Sequence, residues 1–250
     1  MLKAFNSKPK VTIYYGFVWV IGVLSILEPI ERYRRVRVAD VVDALDRFGY
    51  HDRVLVSSEI KPLCSGIRMA GYALTVNALR VQEEIPTMTS EEYEKYGEDW
   101  YRNRANYDCF MKLAGPGTVL VVNLAGYVDV GFWGSLVALA AKDKGVEGIV
   151  LDGGCRDTWE IQRIGFPVFC RAKGRTEVIG RIELKPENVN IPVVIGGASV
   201  NPGDMVIGDD DGVVVVPKMI SLKVLERAEL QLSIDRKAQK PYLDKMGLKL

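Results

Sequence analysis

Three adjoining pieces decide the fold: Val119–Leu124 (VLVVNL), Gly134–Lys144 (GSLVALAAKDK), and Gly148–Leu151 (GIVL) running on into Asp152–Asp157 (DGGCRD). The first and third are continuous apolar runs of strand length, the pattern of buried strands. The middle piece is helical in composition and is ended by Gly145. Strand, helix and strand at these lengths predict a βαβ unit with parallel strands and a right-handed crossover. In such a unit the loop after each strand emerges at the same edge of the sheet. One loop passes through Gly131, Phe132 and Trp133 to the helix start at Gly134; the other is Asp152–Asp157. Both crowd the edge where open α/β sheets bind ligands.

The two loops are chemically complementary. The amides of Gly134, Ser135, Leu136 and Val137 are first-turn donors without intrahelical acceptors, and they favour an anion. Glycine at 131 and 134 would let a ligand approach the backbone closely. Arg156 offers a planar fork of donors suited to a carboxylate or enolate oxygen. Asp157 and Asp152 could hold a hard divalent ion that keeps several waters. Together these residues describe a site for a small 2-oxo acid bound to a metal. Other roles remain open at this point. Asp157 with Glu160 matches the capping box D-x-x-E, Arg156 could be a surface ion-pair partner, and Gly153-Gly154 an ordinary turn. Cys155 has no identifiable base beside it and is expected to pack rather than react.

Outward from this unit, Val38, Val41, Val42, Leu45 and Phe48 recur at helical spacing and Gly49 ends the pattern, which predicts an amphipathic helix. Short β-like runs are expected at Arg53–Val56 and Gly71–Leu79. The polar, Tyr- and Glu-rich stretch Glu83–Asp108 is expected to be a loop-and-helix excursion, serving as a lid or a subunit contact. After the site come a short helix over Thr158–Ile164 and a strand over Pro167–Arg171. Val206-Ile207 and Val213–Val216 flank Gly208–Gly212 (GDDDG), which has hairpin-turn chemistry; the Asp209–Asp211 run does not have the spacing of a calcium loop. Ser221–Gln239 is expected to be a terminal helix. The expected organisation is a hydrophobic extension over 1–30, a catalytic domain over 31–220, and a C-terminal helix and tail over 221–250.

Composition narrows the chemistry. A formal net charge of +1 without long runs of one sign gives no electrostatic reason to expect nucleic acid as a partner. The four cysteines show no CxxC spacing, which fits a reducing, cytoplasmic compartment. The single histidine, His51, lies in a polar stretch and is expected at the surface, so a histidine-rich metal site is impossible. Val11–Leu27 is an uncharged apolar run after Lys3, Lys8 and Lys10. It is near the lower limit for a membrane span; a packed segment, an oligomer contact or upstream translation are the readings preferred to an anchor.

At these residues the sequence resembles the RraA-like family, which includes 4-hydroxy-4-methyl-2-oxoglutarate aldolase and oxaloacetate decarboxylase. The resemblance runs from about Val38 to Pro217. It is carried by VADVVDALDRFG, GPGTVLVVNLAG at Gly115–Gly126, WGSLVALAAKDKGVEGIVLDGGCRD at Trp133–Asp157, GFPVF at Gly165–Phe169 and PGDMVIGDDDGVVVVP at Pro202–Pro217. It implies a swivelling β/β/α fold and a homotrimer or hexamer with sites near subunit contacts. It also implies a lyase that uses Mg²⁺ or Mn²⁺ to cleave a 2-oxo acid and release pyruvate. The family's substrate-binding turn falls on Gly134, Ser135, Leu136 and Val137, its substrate-binding arginine on Arg156, and its metal-binding aspartate on Asp157. Many members carry an acid where this chain has Ser135. The excursion at Glu83–Asp108 and the N-terminal extension also differ from the shorter members. Another branch regulates an RNA-processing enzyme by binding alone and lacks the Arg-Asp pair, which this chain retains.

Overall fold

In the computed structural model, which describes residues 27–249, Val119 and Val121 pack on one side of a sheet while Leu120 and Val122 pack on the other. Burial on both faces is why the run is apolar without alternation. The elements that position the site are, in chain order, α1 (Val38–Arg47), β1 (Lys61–Pro62), β2 (Met69–Asn77), α2 (Ser90–Asn103), α3 (Asp108–Met111), β3 (Thr118–Trp133), α4 (Ser135–Asp143), β4 (Gly148–Cys155), α5 (Thr158–Ile164), β5 (Val168–Lys173), β6 (Met205–Asp209), β7 (Gly212–Val216) and α6 (Ser221–Met246). The strands form one sheet in the order β1-β5-β4-β3-β2-β6-β7. Its four central strands are parallel and its flanking pairs antiparallel.

The expected βαβ unit is β3-α4-β4, with parallel pairing from Val119↔Gly148 to Asn123↔Asp152. Helices α2 to α5 cover one face; the hairpin Val193–Ile195 with Ala198–Val200 adds a second β layer on the other. This is the β/β/α arrangement. A third apolar cluster joins α1 and α6 to β6 and β7 through Val41, Leu45, Val224 and Leu225. The structure therefore has the expected mixed α/β fold.

Several local expectations need correction. β3 does not stop at Leu124: it continues to Trp133 through register shifts, with Ala125 and Gly126 at φ 51° and 74°. Such bulges let a strand bend without leaving the sheet. Likewise β4 runs to Cys155, so Asp152–Cys155 is strand rather than loop. Arg53–Val56 is not a strand; His51–Val54 is a short 3-10 turn, with Leu55 bridging Val214. The excursion is ordered by a Thr89–Glu92 capping box that starts α2. The acidic turn is held by neighbours: Asp209 accepts from the Val38 and Asp211 amides, and Asp210 from the Gly66 amide and the Ser65 hydroxyl. His51 is exposed, 3.4 Å from Asp46. The apolar run Val11–Leu27 lies outside the described residues except for Leu27, and among the described residues no helix is long and apolar enough to cross a membrane.

Candidate active site

Strands β3 and β4 end in register, Trp133 opposite Cys155, so Gly134 and Arg156 leave the sheet side by side. The Arg156 amide donates to the Trp133 carbonyl at 2.8 Å, which pins the two exits together. Asp157 then takes a left-handed conformation, φ 55° and ψ 32°, a region that aspartate tolerates better than most residues. Its carbonyl receives the Glu160 and Ile161 amides at 3.0 and 3.1 Å, so α5 starts from its backbone.

Its side chain does something else. Asp157 occupies the N-cap position of α5, yet its carboxylate makes no capping bond to that helix. Instead Oδ2 accepts from the Ser135 amide at 3.1 Å and lies 3.5 Å from the Ser135 hydroxyl, at the start of α4. The D-x-x-E reading of Asp157 and Glu160 is thus overturned. The carboxylate serves the positive end of the neighbouring helix, where a negative charge is favoured. The Ser135 amide is therefore already engaged. Leu136 and Val137 amides have no acceptor among the described residues, and Leu136 is 78% exposed.

The two site glycines make room for side chains. A Cβ on Gly131 would lie 2.7–2.8 Å from three atoms of the Arg156 stem, and one on Gly134 would lie 2.7 Å from Asp157 Oδ2. Both glycines also line the cavity described below, so the room they leave is shared with these side chains. The guanidinium sits between two acids, with Nε 3.9 Å from Asp157 Oδ2 and Nη1 3.8 Å from Glu177 Oε1. Asp152 is not part of this constellation. It points to the opposite face, where it is bonded to Arg171 and to the Gly196 amide, and is buried.

These groups line a cavity of about 530 Å³, within the range of small-ligand sites. The structure brings Gly134, Leu136, Val137, Arg156 and Asp157 to it, with Ser135 bonded to Asp157 at its rim. Six lining residues were not anticipated: Tyr101, Ala105, Asn106, Tyr107, Asp108 and Glu177. Five come from the excursion, which forms a wall of the cavity. It is anchored by Trp100 Nε1 donating to the Ile182 carbonyl at 3.1 Å and the Leu184 amide donating to the Arg104 carbonyl at 2.7 Å. Tyr107 stacks on Phe132 with ring centres 5.0 Å apart and donates its hydroxyl to the Phe132 carbonyl. Burial pushes the Tyr107 phenol well above its usual range. Burial also raises Tyr101, with the Glu177 carboxylate adding to the effect and Arg156 opposing it. Glu177 follows β5, a third parallel strand, so the edge argument applied to that strand would have pointed to it.

Cys155 is fully buried, and its thiol is pushed up by a hydrogen bond with Cys170 and by burial, which makes it a packing residue. Among the described residues no three His, Cys, Asp or Glu side chains gather closely enough to enclose a metal. Asp157 Oδ1 has no hydrogen-bond partner among the described residues, and its carboxylate is 41% exposed. A single open carboxylate oxygen suits a hard cation that keeps most of its water, and does not suit a dry all-protein cage.

The RraA-like family, described as Aldolase/RraA, matches residues 38–215. A relative from Halalkalibacterium halodurans is 30% identical over 189 residues, 76% of this chain and 79% of that protein, and carries the name 4-hydroxy-4-methyl-2-oxoglutarate aldolase provisionally. The 4-hydroxy-4-methyl-2-oxoglutarate aldolase of Thermus thermophilus is 33% identical over 104 residues, 42% of this chain and 62% of that protein. Among solved structures, Streptomyces coelicolor RraAS2, described as an unusual member of the RNase ES inhibitor RraA protein family, superposes with a TM-score of 0.71 at 25% identity. That match covers 86% of this chain and 98% of RraAS2. With the sheet, the paired strand ends and the matched span in agreement, the chain belongs to the RraA-like family.

Proposed function

We propose that this protein is a divalent-metal-dependent lyase that breaks a C–C bond in a small 2-oxo acid and releases pyruvate. The observation that carries this reading is the convergence, in one cavity, of the Arg156 fork, the open Leu136 and Val137 amides and the open oxygen of Asp157. The two amides hold the substrate's C1 carboxylate at the helix start. Arg156 faces the oxygen on C2. When the C3–C4 bond of a 4-hydroxy-2-oxo acid breaks, its electron pair moves into C2–C3 and leaves an enolate oxygen on C2. The C4 hydroxyl loses its proton and becomes a carbonyl, and a proton taken up at C3 completes pyruvate. Arg156 stabilises the enolate; removal of one such preorganised donor costs ~3–4 kcal/mol in other enzymes. Asp157 would hold Mg²⁺ or Mn²⁺ through a largely aquated shell, and the ion would supply polarisation of the 2-oxo group. The proposed mechanism uses no Schiff base.

The test is pyruvate release from 4-hydroxy-2-oxo acids and oxaloacetate, with Mg²⁺, with Mn²⁺ and with chelator. Metal-dependent turnover well above the metal-only background supports the proposal. No turnover above that background, together with tight capture of an RNA-processing enzyme, would replace it with a non-catalytic regulator. A borohydride-trapped substrate–lysine adduct would overturn the mechanism.

A further inference from the structure

The Arg156 guanidinium lies near two carboxylates that reach it from different segments: Nε is 3.9 Å from Asp157 Oδ2, and Nη1 is 3.8 Å from Glu177 Oε1. Neither separation is a hydrogen bond. Each acid attracts the cation without taking a donor from its fork. The stem is fixed, because it packs on Gly131 so closely that a Cβ there would lie 2.7–2.8 Å from three of its atoms. The tip is 31% exposed and has room to turn.

Glu177 is held by its backbone. The Gly174 amide donates to the Cys155 carbonyl at 2.8 Å. Thr176 bridges Val130, and its carbonyl receives the Gly131 amide at 2.9 Å. The segment after β5 is thus stitched to the ends of β3 and β4, and Val178 beyond it is buried. Glu177 therefore draws on Nη1 from a fixed point. Nε belongs to the donor edge that forms two-pronged pairs with carboxylates, and Nη1 lies off that edge.

Without Glu177, the carboxylate left beside the tip is Asp157. A turn that shortens 3.9 Å to hydrogen-bond distance would convert a loose contact into the two-pronged pair that arginine and carboxylate prefer. That pair would occupy the fork. It would also set a positive charge beside the Asp157 oxygen that the Ser135 bond leaves open.

We propose that Glu177 is a positioning residue: it holds the Arg156 guanidinium off Asp157, keeping the fork open to a ligand oxygen and the free Asp157 oxygen open to a cation. This rests on the lyase reading and deepens it. Glu177 itself touches neither ligand nor metal.

The test reads Mn²⁺ binding by electron paramagnetic resonance, and binding of oxalate, a planar mimic of an enolate, by calorimetry in chelator. Glu177 is 42% exposed, so its variants should fold. Glu177→Ala should weaken Mn²⁺ at least about fivefold, as a cation closes on the same carboxylate. It should weaken oxalate about tenfold, as the fork is lost. In an Arg156→Ala background the same substitution should change either by no more than about twofold, because no guanidinium is left to turn. Tighter oxalate binding in Glu177→Ala would mean that Glu177 only repels anions. Weaker Mn²⁺ binding that persists without Arg156 would make Glu177 a metal ligand. Either result overturns this inference and leaves the lyase reading standing. The expected shifts without pyruvate release by the wild type would remove the lyase reading and keep the positioning role. A wild type that binds neither Mn²⁺ nor oxalate would remove both.

Discussion

Replacing Asp157 by Asn separates the two things its side chain can do. The amide oxygen can still accept the Ser135 N–H now 3.1 Å from Oδ2, and Asn tolerates φ 55° at least as well as Asp. What disappears is the negative charge at the start of α4, worth ~0.3–1 kcal/mol at a surface helix end. The carboxylate is 41% exposed, which places the loss toward the lower part of that range. For a chain of this size that is a fall of at most about 2–4 °C in Tm. Activity should behave quite differently. Loss of the anionic oxygen removes the anchor for a hydrated cation, and a hundredfold fall in kcat/KM corresponds to ~2.7 kcal/mol. The assay pairs metal-dependent pyruvate release with Mn²⁺ binding read by electron paramagnetic resonance, on samples whose melting is recorded. Asp157→Gly is the control: it suits the left-handed backbone, lacks the carboxylate, and should melt near the wild type with the same loss of activity. An Asn variant within about threefold of wild type in both turnover and Mn²⁺ affinity would refute the assignment, and melting lowered by more than ~5 °C would refute the account of its stability.

Arg156→Lys keeps the charge but loses the fork; kcat should drop while Mn²⁺ affinity, read by the same resonance signal, stays within a few-fold. Gly131→Ala places a methyl 2.7–2.8 Å from Arg156 Cβ, Cγ and Cδ; because Cβ is fixed by the backbone the strand ends must shift, so turnover should fall at least tenfold and the melting temperature should fall with it. Tyr107→Phe leaves the Phe132 carbonyl without its hydroxyl partner in a buried place, which should cost ~1–3 kcal/mol in denaturant unfolding. The Arg32 hydrogen bond holds Glu229 below the usual carboxylate range, so this pair stabilises the fold above that range and loses its contribution as pH falls through the lowered value. Glu229→Gln should flatten the acid limb of the stability curve by less than ~1 kcal/mol, as the pair is about one-third exposed.

The βαβ unit was legible because its signals are local: apolar runs of strand length, a helix between them and Gly145 to end it. The true ends of β3 and β4 were not, because their continuations carry Tyr127, Asp129, Asp152 and the glycines Gly126, Gly131, Gly153 and Gly154, which look like loop residues. They are strand residues through pairing with distant partners across register shifts, and no window of sequence contains that information. The same gap explains Asp152, which one extra strand residue or two sends to the far face. Asp157 stands at the helix start the sequence shows, but the capping motif within its own helix does not form: the Ser135 amide, twenty-two positions away, takes the carboxylate oxygen. Glu177 and the Thr89–Glu92 box were both readable. The first needed the parallel-edge rule applied to a third strand, and the second the ordinary spacing of a helix start inside a polar stretch.

The bond from Ser135 to Asp157 ties two consecutive connections of the sheet into one unit, and this has a consequence for how the site is kept ready. A helix start facing open solvent attracts whatever small anion is abundant, and that anion must leave before the intended ligand arrives. Here the charge that satisfies α4 is covalently part of the chain and cannot be exchanged for phosphate or sulfate from the medium. A cation held at the open Oδ1 would leave the Oδ2 bond to the Ser135 amide in place.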